Sequence, residues 1–126
     1  MQLSAARVFV QDLAAAEHFY GALLGLPLQA GGAAQGYCVY GLGGPQLVVE
    51  PVAPDAPDED RALVGRFTGL SLAVASVDRA HAELSQRGVV FLAGPERQPW
   101  GGILATFCDP SGNALQLVQA PGAQPD

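Results

Sequence analysis

Ala6-Arg7-Val8-Phe9-Val10-Gln11-Asp12 and Leu70-Ser71-Leu72-Ala73-Val74-Ala75-Ser76 are the two stretches that decide the fold of this 126-residue chain. Each alternates in character, as a half-buried strand does, and each ends on a residue able to cap a helix. Val10 maps onto Val74 and Asp12 onto Ser76, each 64 residues later. The first helix runs from Asp12 through Leu24 and the second from Val77 to about Arg87, and both stop at a glycine, Gly25 and Gly88. An internal duplication follows from that constant offset.

Three short strand-like runs come after each helix. They are Leu26 to Ala30, Tyr37 to Tyr40 and Gln46 to Glu50 in the first half, and Val89 to Leu92, Ile103 to Cys108 and Ala114 to Gln119 in the second. Gly31-Gly32, Gly43-Gly44-Pro45, Gly101-Gly102 and Pro110-Ser111-Gly112-Asn113 punctuate them as turns. Each half therefore reads β-α-β-β-β. The expected fold class is α+β: one domain over 1–126, with modules at about 3–52 and 66–120 whose curved mixed sheets surround a cleft. An exposed acidic, proline-rich linker spans about 53–65, and a mobile tail occupies 121–126.

Alternation assigns the faces. Val8 and Val10, Leu70 and Leu72, Leu47 and Val49, and Leu115 and Leu117 go beneath the helices. Arg7, Phe9, Glu50, Ser71 and Gln116 point away, toward the expected trough. Tyr37, Tyr40 and Trp100 add aromatic surface there, and Cys38 and Cys108 join by the same alternation. Arg7 reads in two ways, as a clamp for a carboxylate or phosphate, or as the ion-pair partner of Glu50. Trp100 either walls the trough or anchors its own loop.

Composition removes several function classes. Hydrophobic residues make up 49% and charged residues 14%, which suits a packed globule. The net charge of −6, with no basic patch, argues against nucleic acid. No apolar run approaches the roughly 18 residues of a membrane span. The start Met1-Gln2-Leu3-Ser4 lacks signal-peptide character, so a cytoplasmic location is expected. All six cations are arginines, which excludes a lysine nucleophile or base. Cys38 and Cys108 form no CxxC pair and read as two reduced thiols.

Val10-Gln11-Asp12-Leu13, Phe19-Tyr20 and Leu24-Gly25-Leu26 resemble the first half of the vicinal oxygen chelate superfamily, which includes glyoxalase I, bleomycin-resistance proteins and ring-cleaving dioxygenases. Pro99-Trp100-Gly101-Gly102 and Asp109-Pro110-Ser111-Gly112-Asn113 resemble its second half. The resemblance implies a divalent metal held by His, Glu or Gln from the first and last strands of each module. The matching positions are Ala5 and Gly69, which donate nothing, together with Gln116 and either Val48 or Glu50. His18 and His81 fall on the helices.

The expectation is thus a protein without metal or other cofactor that sequesters an aromatic or acidic small molecule in the trough. Arg7, Phe9, Tyr40, Glu50, Ser71, Trp100, Cys108 and Gln116 are its candidate contacts. The alternative is a metal-dependent lyase, isomerase or dioxygenase of the same superfamily, so whether the chain is an enzyme stays open. A homodimer is expected under either reading, because relatives commonly pair modules between chains and an open sheet edge invites pairing.

Overall fold

The computed structural model describes residues 1–122, so part of the expected tail, 123–126, lies outside the described residues. The chain divides into two compact units, residues 1–66 with 110–113, and residues 67–109 with 114–122. Each unit carries one four-stranded mixed sheet.

In the first unit β1 (Ala5–Val10) leads through α1 (Leu13–Glu17) to β2 (Leu28–Gly32), β3 (Tyr37–Gly41) and β4 (Gln46–Pro51), with sheet order β1-β4-β3-β2. The parallel neighbours β1 and β4 set Arg7 beside Val48 and Phe9 beside Glu50, and β3 runs antiparallel to both β4 and β2. Asp12 caps α1 by accepting a hydrogen bond from the Ala15 amide at 3.0 Å. The expected single helix to Leu24 changes type midway. His18–Leu23 forms a π-helical turn, closed by a bond from the Leu24 amide to the Phe19 carbonyl at 2.9 Å. The wider turn sends both Phe19 and Tyr20 into the core, where their rings meet edge to face at 5.0 Å.

Gly31 and Gly32, expected in a turn, lie within β2. Gly31 has φ +78°, and a Cβ there would collide with the carbonyl and ring of Tyr37, so glycine lets the strand continue. The reversal comes one step later, at the 3-10 turn Ala33–Gln35 and Gly36.

The acidic segment is more than a connector. It contains the one-turn helix α2 (Asp58–Arg61), whose acids sit in its first turn as its dipole favours. Val64, just beyond, forms a parallel bridge with Phe9 on the outer side of β1. The Pro110–Asn113 turn also packs into the first unit. Buried Asn113 accepts from the Gly65 amide at 2.8 Å and donates to the Phe9 carbonyl at 2.8 Å, and the Ser111 hydroxyl accepts from the Gln11 amide at 2.9 Å.

The second unit repeats the pattern with β5 (Phe67–Ala73), α3 (Val77–Gln86), β6 (Val90–Arg97), β7 (Ile103–Cys108) and β8 (Ala114–Gln119), in sheet order β5-β8-β7-β6. Ser76 caps α3 by accepting from the Arg79 amide at 3.1 Å. The buried Gln119 side chain accepts from the Val77 amide at 3.0 Å, satisfying another free donor at that terminus. β6 is longer than expected, because register shifts around Leu92 and Gly94 carry it past Pro95 to Arg97.

Asn113→Ala strips the Gly65 and Arg66 amides and the Phe9 carbonyl of their partner and should cost roughly 2–3 kcal/mol of stability, read as a lowered urea midpoint. A loss under about 0.5 kcal/mol would show that solvent replaces Asn113 freely.

Candidate functional site

Each sheet has a helix-covered face and an open one, and strand register decides which residues reach the open side. In the first unit, residues in register with Arg7 share its face: Arg7, Val48 and Val39 form one row, and Phe9 and Glu50 the next. The Arg7 guanidinium grips Glu50 diagonally, Nε to Oε2 at 2.6 Å and Nη2 to Oε1 at 3.0 Å. Its Cζ lies 5.1 Å from the centroid of the Phe9 ring. The Arg7 side chain is 60% exposed and that of Glu50 29%. Hydrogen bonding to Glu50, then the charge of that carboxylate, raises the guanidinium further above its already high value.

In the second unit Ser71, Gln116 and Thr106 stand in register across β5, β8 and β7. The Gln116 amide donates to the Thr106 hydroxyl at 3.3 Å. Cys108 stands on the same open face, half-buried and beside Ala114. Trp100 is exposed in the β6–β7 turn, its ring over Gly102, where a Cβ would collide with it. The structure thus groups Arg7, Phe9 and Glu50 in one unit, and Ser71, Gln116 and Cys108 in the other.

Tyr40 and Cys38 correct the expectation. Tyr40 pairs with Leu47 and Cys38 with Val49, so both turn to the helix side and are fully buried. Tyr40 packs 6.1 Å from the Tyr20 ring and donates a long 3.4 Å hydrogen bond to the Glu17 carbonyl. Alternation within β3 shows that Cys38 and Tyr40 share a face; only the pairing with β4 shows which one. Val39 and Thr106, absent from the expected site, reach the open faces by the same ladders.

The ladders also settle which last-strand residue matches Gln116. Gln116 lies beside Ser71, and the 64-residue offset takes Ser71 to Arg7, whose neighbour is Val48 rather than Glu50. Gly69 sits at φ +74° within the irregular stretch between Phe67 and Ser71. Ala5, Arg7, Val48 and Gly69 offer no donor to a cation, which leaves the Ser71 hydroxyl and the Gln116 amide. That pair falls short of the three or more protein ligands a catalytic divalent ion takes. Among the described residues no three His, Cys, Asp or Glu side chains gather as a metal would require.

The sequence matches the description Glyoxalase/Bleomycin resistance protein/Dioxygenase superfamily over residues 2–117. No individually curated protein matches it. Among solved structures, a member of that superfamily from Sphaerobacter thermophilus is 31% identical, with TM-score 0.74 and coverage of 95% of this chain and 98% of the other. TnmS3, an antibiotic binding protein from Streptomyces sp. CB03234, is 31% identical, with TM-score 0.70 and coverage of 94% and 95%. UcmS2 is 26% identical, with TM-score 0.80 and coverage of 95% and 98%.

The thiols give a pH signature. Burial raises Cys38, which a hydrogen bond with Tyr40 partly offsets, while burial and then the Asp109 charge raise Cys108. Burial also raises Tyr40 well above its ordinary value. These groups stabilise the fold fully below the unfolded thiol value of about 8.5. Above it the unfolded chain sheds protons that the folded chain keeps, so the urea midpoint should fall as pH rises from 8 to 10. A rising midpoint would contradict these environments. At pH 8 iodoacetamide should label the half-buried Cys108 before Cys38.

Proposed function

The chain belongs to the Glyoxalase/Bleomycin resistance protein/Dioxygenase superfamily, and we propose that within it the protein binds and sequesters a small organic molecule without a metal. The observation that carries this reading is the open face of the first sheet. There a charged, ring-supported guanidinium stands beside Val39 and Val48, the mixture of apolar wall and few oriented polar groups that small-molecule sites use. Ser71, Thr106 and Gln116 give the second sheet a neutral hydrogen-bonding row, in which Gln116 can both donate and accept.

The donor chemistry supports a metal-free site, since a hydroxyl and a neutral amide hold divalent cations poorly. The likeness to an antibiotic binding protein at 31% identity supports binding over catalysis. No helix among the described residues is long and apolar enough to cross a membrane. A homodimer forms part of the proposal. The edge strand β6 of the second sheet leaves Val90 and Leu92 exposed, an apolar edge that a second copy would cover.

Freshly purified protein is expected to carry no stoichiometric metal and to show no thermal stabilisation by Mn, Ni, Fe or Zn. Stoichiometric metal with a clear stabilisation would replace the binding reading with a metal-dependent one. A thermal-shift screen of aromatic and acidic compounds should yield binders that Gln116→Ala weakens severalfold, whereas an empty screen on folded protein would remove the proposal. Sedimentation at micromolar concentration is expected to give twice the 13.0 kDa chain mass; a monomer would sink the dimer alone.

A further inference from the structure

A guanidinium has two edges that can each hold a pair of acceptors, the side edge of Nε and Nη2 and the end edge of Nη1 and Nη2. Glu50 takes the side edge of Arg7 with both carboxylate oxygens. One face of the guanidinium lies over Phe9. Among the described residues the end edge has no hydrogen-bond partner, and the side chain is 60% exposed. Arg7 is therefore fixed from the side and from below while its end edge stays free.

The charge at this point is already balanced, because Glu50 neutralises Arg7 within one hydrogen-bonded unit. A carboxylate arriving at the end edge would lie a few ångströms from the Glu50 carboxylate, on a chain whose net charge is −6. A neutral carbonyl would take the same N–H groups without that repulsion. A flat aromatic body fits the surroundings, since Val39 and Val48 extend an apolar row beside Arg7 on which its face can lie.

We infer that Arg7 receives the carbonyl of a flat, uncharged aromatic ligand on its end edge, and that Glu50 is a positioning residue that selects against aromatic carboxylates. This inference rests on the binding reading and narrows its aromatic or acidic ligand to the uncharged aromatic class.

Calorimetric titration with 2-naphthamide and 2-naphthoate, matched in shape and differing in charge, tests it. The wild-type protein should bind the amide more tightly. Glu50→Gln should move the ratio of the two affinities toward the carboxylate by about tenfold, the size of a like-charge effect at a partly wet site. A merely structural loss would weaken both probes and leave their ratio in place. Arg7→Met should weaken both, and naphthoate at least as much as the amide, because Glu50 then stands without its neutralising partner. Tighter binding of naphthoate by the wild type, or a ratio unmoved in Glu50→Gln, overturns the inference. So does failure of both naphthyl probes when the wider thermal-shift screen does yield binders, and that result leaves the binding reading intact. An empty wider screen removes both.

Discussion

Each sheet has one helical layer to cover it, and that shortage of cover governs the rest of the structure. A four-stranded sheet with a single helix on it buries one face and leaves the other to solvent, so every strand must alternate. Val8, Val10, Leu47 and Val49 supply the buried face of the first sheet, and Phe107, Leu115 and Leu117 that of the second. What remains on the other side is free to carry chemistry. Arg7, midway along the edge strand β1, and Glu50 of β4 can carry charge there because both side chains keep access to solvent.

The same rule explains which parts of the fold were legible in the sequence. β7 and β8 match their expected bounds, and Asp12 and Ser76 cap their helices, because alternation and capping are local properties. The misplaced features depend on partners distant in sequence. Gly31-Gly32 read as a turn, yet pairing with Cys38 and Tyr37 across the ladder holds the two glycines in a strand. The short reading of β6 stopped at Leu92, since a glycine and a proline rarely sit in a strand without the register shifts that accommodate them. Gln119 and Asn113 look like ordinary polar residues until helix and loop amides arrive beside them.

The candidate site divides along the same line. Arg7, Phe9, Glu50 and Gln116 take the open faces that alternation assigned them, and Arg7 meets Glu50 as the ion-pair reading required. Tyr40 was misplaced because a strand flanked by glycines carries no mark of which side is the core. The choice between Val48 and Glu50 needed the parallel register of β1 and β4, which no local pattern encodes.

The π-helical turn at His18–Leu23 bears on how this chain can change length over evolutionary time. Such a turn holds one residue more than an α-helical turn would, so a single deletion there leaves backbone that could rewind as ordinary helix. The rewinding would not be silent, because one residue of helix is a rotation of about 100°. Phe19 and Tyr20 are adjacent and both in the core, and an ordinary turn would swing one of them toward solvent. Gene-level shortening in this short stretch is thus penalised by two aromatic rings, whereas Gly44, with open space around it and no left-handed backbone, can accept a side chain.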